Sequence, residues 1–228
     1  MEINEFYNIN EKKKKEFDEY MSLLLEWNKK INLTAITDHD EIILKHFVDS
    51  LTISKYINNG SKVIDVGTGA GFPGIPIKIY DETLDITLLD SLNKRINFLN
   101  EVIKNLELAN IRTVHSRAED AANNAKFRES FDIATSRAVA NLSVLVEYLL
   151  PFVKVNGYCI CMKGPNICEE IEDSKNAIKI LGGKIETIDS FKLPGTEIER
   201  NIIIIKKIRK CPNGYPRKAG IPAKNPLK

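Results

Sequence analysis

This 228-residue chain is short of the residues that hold metals and bridges: it has three histidines and four cysteines. The cysteines, Cys159, Cys161, Cys168 and Cys211, form no C-x-x-C pair, and no His/Cys/carboxylate cluster has ligand spacing, so no metal site is expected. Reduced thiols are expected instead of a disulfide framework, with "YCICMKG" reading as a strand that carries two cysteines on one face. No run of about 18 apolar residues is present, which excludes a membrane-spanning helix. The start, "MEINEFYNIN", lacks the basic and apolar regions of a signal peptide, so a cytoplasmic location is expected. No G-x-S-x-G elbow occurs. "HFVDS" does hold His46, Asp49 and Ser50, but five consecutive residues cannot place Asp behind His and Ser in front of it, which excludes a hydrolase triad. The same His46 and Asp49 are suited to pinning one helix against a neighbouring loop. Nothing reads as a coiled coil, and a monomer is expected.

What is present is an ordinary globular composition, 43% apolar and 28% charged, with an uneven charge distribution. The last 29 residues, from Arg200, carry nine Lys or Arg and no acid, so the net charge of +2 combines a basic end with a body of net charge −7. A mildly acidic body with a basic end fits an end that approaches phosphates, and equally a solvated terminus. "KKKK" at 12–15 is different, because a helix spreads those residues around its circumference as a solvated face.

Periodicity divides the rest. Asn10 can cap a helix on which Phe17, Tyr20, Leu24, Trp27 and Ile31 recur at helical spacing. A second helix runs from about Asp40, with Ile43, Phe47, Leu51 and Ser54 on one side. This helical lead-in, 1–58, breaks at "NNGS". Short apolar strands follow at 62–66, 85–90, 111–115, 131–136 and 157–163, with helices after Pro73, at 93–108 and at 141–153. Strand–helix alternation predicts a mostly parallel sheet covered on both faces. "GKIETIDSF" and "RNIIIIKKI", with no room for a helix between them, predict a C-terminal antiparallel hairpin. An α/β sheet ending in such a hairpin is the Rossmann-like class I methyltransferase pattern, here over 59–208, with 209–228 as a basic tail.

The first strand runs into "VIDVGTGAGFPG". In an open α/β sheet this turn carries the ligand: Gly67, Gly69 and Gly71 supply the turn and the close backbone approach, and Pro73 suits the first helical turn. A dinucleotide is the competing ligand. G-x-G-x-x-G fails when counted from Gly67, where Phe72 replaces the third glycine, and matches only from Gly69 through Gly74. The chain has no length for a separate dehydrogenase substrate domain, and the hairpin is foreign to dinucleotide-binding halves, so S-adenosylmethionine is favoured. Asp90 ends the second strand, where a carboxylate can accept both ribose hydroxyls. "SRAED" places Ala118 and Glu119 after the third strand, where a backbone amide and a neighbouring acid meet an adenine edge. "SRAVAN" brings Arg137 to the same rim.

Taken together, "WNKKINLTAI", "HFVDSL", "VIDVGTGAGFPGIPIKI", "LLDSLNKR", "SRAED", "SRAVANL", "MKG" and "YPRKAGIPAKNPL" resemble the bacterial 16S rRNA guanine-N7 methyltransferase family, also called glucose-inhibited division protein B. The resemblance implies S-adenosylmethionine as donor and a guanine in the 530 loop of 16S rRNA, on free RNA or on the small ribosomal subunit, as acceptor. It implies donor contacts at Gly67, Phe72, Ala118, Glu119 and Arg137. Guanine N7 carries a lone pair and no proton, so transfer needs positioning and no general base. Arg137 or Lys163 is suited to orient the base through O6. Phosphate contacts are expected from Lys163, Arg209, Lys210, Arg217 and Lys218, on a tail whose Pro and Gly keep it extended, with Tyr215 stacking on a base.

Overall fold

The computed structural model describes residues 1–137 and 140–227. Its centre is a seven-stranded sheet in the order β3-β2-β1-β4-β5-β7-β6. The strands are β1 (Lys62–Val66), β2 (Asp85–Asp90), β3 (Ile111–His115), β4 (Phe131–Arg137), β5 (Val153–Lys163), β6 (Gly183–Lys192) and β7 (Glu199–Lys207). The first five run parallel, and β7 is antiparallel to both β5 and β6. The chain reverses its direction across the sheet between β1 and β4, so the crevice beyond their C-terminal ends is where a ligand is held.

The helices are α1 (Glu11–Ile31), α2 (His39–Ile42), α3 (Asp49–Leu51), α4 (Gly74–Tyr80), α5 (Asn93–Asn105), α6 (Ala118–Asn123), α7 (Leu142–Leu149), α8 (Cys168–Ile180) and α9 (Ile221–Lys224). Asn10 caps α1 by accepting the Lys13 N–H at 3.0 Å. Phe17, Tyr20 and Leu24 are buried along one face, as their spacing predicts. Between α2 and α3 the chain widens into a π-helical stretch, Ile43–Val48, a local irregularity frequent at functional sites. The apolar cluster runs without a break from Phe17, Tyr20 and Phe47 of the lead-in to Ile86, Leu88 and Phe98 beside the sheet. The helical lead-in therefore packs over the β1–α4 turn.

Three differences from the sequence pattern stand out. α8 lies between β5 and β6, where no helix is expected; Ser174 and Ala177 share its buried face with Ile178, so its apolar stripe is faint. β5 begins at Val153, four residues before the apolar run, and Phe152 and Val153 lie beyond α7. The helix near Pro73 starts at Gly74, with Pro73 just outside it.

Candidate active site

β1 ends at Val66, and the glycine loop that follows is held from three sides. From β2, Leu89 O accepts the N–H groups of Gly67 and Thr68, and Asp90 Oδ2 accepts that of Gly69 at 2.9 Å. From beneath, Asp65 Oδ2 accepts Thr68 Oγ1–H at 2.6 Å and Gly74 N–H at 2.9 Å. From above, Tyr20 of α1 donates its hydroxyl to Ala70 O at 2.5 Å. Two glycines are sterically crowded. At Gly71, with φ +103°, a Cβ would lie 2.5 Å from Ile75 Cδ1, and at Gly74 it would lie 2.3 Å from Leu88 Cδ2. Asp65 is fully buried, and burial raises its carboxyl to about 6 against the opposing pull of the Thr68 and Gly74 hydrogen bonds.

Two cavities meet on this loop, sharing Gly67, Asp90 and Ser91. One, of about 380 Å³, runs along the ends of β2 and β3 past Leu92, Ser116, Ala118, Glu119 and Tyr148. The other, of about 460 Å³, runs toward the lead-in past Thr34, His46, Phe72, Arg95 and Arg137. Asp90 stands at the junction, 3% exposed, its Oδ1 accepting Leu92 N–H and its Oδ2 paired with Arg95 at 3.3 Å. A carboxylate at a strand end, left-handed glycine backbone and an elongated double cavity fit a nucleoside with a charged tail.

The second cavity is walled by side chains. Arg137, at the end of β4, donates through Nη1 to Lys45 O at 3.1 Å and to Asp49 Oδ2 at 3.2 Å, and through Nη2 to His46 Nδ1 at 3.0 Å. Its guanidinium lies 4.8 Å from the Phe72 ring centroid, and the His46 ring stacks on the same Phe72 at 4.4 Å. Asp49 also accepts Arg200 Nε–H of β7 at 2.9 Å, so one buried carboxylate ties β4, β7 and α3 together. Because Nδ1 of His46 accepts from Arg137, its Nε2–H donates to Thr34 Oγ1 at 2.8 Å. Burial, and then the Arg137 charge, pushes the His46 imidazole down to about 3. It is a neutral ring with both nitrogens committed.

The residues expected around the donor, Gly67, Gly69, Phe72, Asp90, Ala118, Glu119 and Arg137, all line these two joined cavities. The basic residues assigned to RNA do not gather. Lys163 is buried, its Nζ 2.6 Å from Glu170 Oε2 and 2.6 Å from Ala140 O. Arg209 donates to the carbonyls of Lys179 and Ile180 at the end of α8. Arg217 forms a forked pair with Glu147 at 2.7 Å. Lys210 and Lys218 are exposed. The tail does not stay extended: it folds back on the body and ends in α9. Of the 12–15 lysine run, Lys12, Lys13 and Lys14 bond to Glu82, Tyr80 O and Glu2, around the circumference of α1. Ala138 and Val139 of "SRAVAN" lie outside the described residues. Sequence reasoning assigned no site role to Thr34, Arg95, Tyr148 or Arg200. Thr34 and Arg95 lie within the quoted stretches "WNKKINLTAI" and "LLDSLNKR", and Arg200 opens the basic end.

The strand order, terminal hairpin and loop site define the class: a class I S-adenosylmethionine-dependent methyltransferase. Solved structures share the fold at low identity. A SAM-dependent methyltransferase from Aquifex aeolicus matches with a TM-score of 0.55 and 17% identity, over 76% of this chain and 96% of that one. The M. jannaschii TYW2 protein, solved in complex with AdoMet, matches with a TM-score of 0.56 and 17% identity, over 70% and 75%. Within the class, residues 13–203 match the GidB family, rRNA small subunit methyltransferase G. Proteins described as ribosomal RNA small subunit methyltransferase G are 57% identical in Clostridium perfringens (96% of this chain, 93% of the relative) and 56% identical in Acetivibrio thermocellus (96% and 91%). The chain belongs to that family.

Proposed function

We propose that this protein transfers the methyl group of S-adenosylmethionine to N7 of a guanine in the 530 loop of 16S rRNA. The donor supplies a methyl group already activated on a sulfonium. Asp90 would hold the ribose, the Gly67–Gly69 backbone the amino-acid end, and Ala118 with Glu119 the adenine edge. Guanine N7 attacks with its own lone pair and releases no proton beforehand, so the residues here act by orientation. The observation that carries this reading is the state of His46. Its imidazole lines the cavity beside Phe72 with Nδ1 accepting from Arg137 and Nε2–H directed at Thr34, so no ring lone pair is free to act as a general base, which suits a reaction that needs none. Arg137, stacked on Phe72 and fixed by Asp49, is the cation assigned to guanine O6, and Asp90 is the carboxylate that lines the same cavity. Lys210 and Lys218 are assigned to phosphate contacts. Among the described residues no helix is long and apolar enough to cross a membrane.

The test is methyl transfer from radiolabelled S-adenosylmethionine to small ribosomal subunits from cells lacking this protein, with the modified nucleotide mapped. Label on N7 of a single 530-loop guanine is expected. Tight donor binding without rRNA labelling would keep the donor site and overturn the acceptor.

A further inference from the structure

The segment "YPRKAGIPAKNPL" has the composition of a mobile basic arm, yet its backbone and one of its three cations, Arg217, face inward. Arg128 gathers it by donating to Tyr215 O at 2.7 Å and to Cys211 O and Pro212 O at 3.2 Å. Glu129 accepts Cys211 N–H at 2.7 Å, and Asn123 donates to Pro216 O at 3.4 Å. Backbone groups of an arm meant for solvent would be left to water; these are satisfied by the body.

One anchor lines the first cavity and another sits beside a residue that does. Glu147 is fully buried, and Arg217 meets it with its backbone N–H at 2.8 Å, Nε at 2.9 Å and Nη2 at 2.7 Å. Its neighbour in α7, Tyr148, lines the cavity. Gly220 donates its N–H to Glu119 Oε1 at 3.0 Å and itself lines the same cavity, held in the left-handed region at φ +82°. Pro216 and Pro222 are buried on either side, and α9 packs on α7. The tail thus adds one wall and fixes two others. Lys210, Lys218 and Lys224 stay on its exposed side.

We propose that residues 215–224 are part of the donor site, with Gly220 as the positioning residue for Glu119, so that seating of the tail and binding of the donor are one linked equilibrium. The inference rests on the donor assignment above. Linkage makes the effect reciprocal: the donor protects the tail, and release of the tail weakens the donor.

Two release variants leave the cavity lining intact. Arg128→Met removes the carbonyl anchor, and Arg217→Ala breaks the buried pair that holds the tail on α7. Calorimetric titration with S-adenosylhomocysteine is expected to give a Kd at least tenfold weaker in each folded variant than in the full chain. A purely structural tail would lower Tm and leave Kd within twofold, which would overturn the inference. Hydrogen exchange on the unmodified full chain supplies the check that needs no variant. S-adenosylhomocysteine is expected to slow exchange at residues 215–221, and unchanged exchange there would also overturn it. No binding to the full chain at all would refute the donor assignment itself, whereas full-strength binding by the variants refutes only the role of the tail.

Discussion

The two ends of the chain approach the same crevice from opposite sides and hold on by different physics. The N-terminal helices do it mainly with apolar area, to which Arg137 adds polar contacts at Lys45, His46 and Asp49. Phe17 and Phe47 lie 5.1 Å apart, Tyr20 stacks on Phe47 at 5.5 Å, and Tyr20 meets Phe72 of the glycine loop at 5.6 Å. The C-terminal tail does it with hydrogen bonds from Arg128 and Asn123 to main-chain carbonyls, and with one buried ion pair. Apolar burial is non-directional and scales with area, whereas the polar anchors depend on geometry and cost most when one partner is lost. The lead-in should therefore fail gradually with lost volume, and the tail abruptly with lost partners.

The largest effect should come from the apolar side. Phe47→Ala empties a position that is 1% exposed between α1 and the glycine loop, and should cost about 3–5 kcal/mol in urea unfolding. A loss under about 1 kcal/mol would mean that the lead-in collapses into the gap and is not a rigid wall. Next is Arg137→Ala, which removes the cation that pins the lead-in at the π-helical stretch and at Asp49. Methyl transfer should fall about a hundredfold, the scale of a misplaced reacting group. Near-normal turnover would remove Arg137 from base orientation.

On the polar side, Arg217→Ala strands the fully buried Glu147. Arg217 is 21% exposed, so water offsets part of the loss, and the expected cost is about 2 kcal/mol, below the range for fully buried pairs. Glu147→Leu with Arg217→Leu should recover most of that stability, because an apolar pair strands no charge. A double variant no more stable than Arg217→Ala would show that the tail needs the hydrogen-bonded pair itself and not only freedom from a stranded charge.

The same contrast explains what could be read before the structure. Every strand core, the glycine loop and α1 follow from apolar period and turn chemistry, because repeated burial leaves a repeated pattern. The polar residues named at successive strand ends, Asp90, Glu119 and Arg137, do line the joined cavities. Thr34, Arg95, Tyr148 and Gly220 line them too, and come from elements whose approach the strand pattern does not encode. The tail was not legible. Arg128 meets carbonyls of Cys211, Pro212 and Tyr215, which any residue type offers, so nothing in the sequence marks them as partners. Lys163 and Arg217 look like phosphate ligands in sequence for the same reason: charge is visible there, and the neutralising Glu170 and Glu147 are not assignable to them. The π-helical widening that turns His46 and Asp49 toward Arg137 likewise has no signature in the spacing of Ile43, Phe47 and Leu51.

A pH series sharpens the comparison at the loop itself, where two buried groups titrate in opposite senses. His46 belongs to the lead-in and is depressed from 6.5 to about 3, by burial and then by Arg137. Between those values the unfolded chain binds more protons, so the His46 contribution is present above pH 6.5 and is lost as pH falls toward 3. Asp65 belongs to the sheet and is raised from 3.8 to about 6 by burial. Here the native state binds more protons, so stability falls as pH rises from about 4 to 6, and the cost is complete above that. Between pH 4 and 6 the two slopes oppose, each limited to about 1.4 kcal/mol per pH unit, and the unmodified protein should show little net dependence from the pair. Asp65→Asn leaves His46 unopposed, so its stability relative to the parent should drop on acidification from pH 6 to 4. His46→Gln leaves Asp65 unopposed, and its relative stability should rise over the same interval. Urea midpoints at pH 4, 5, 6 and 7 for the three proteins decide it: curves that diverge in opposite directions below pH 6 confirm both buried states, and parallel curves would place neither proton where the packing of the loop puts it.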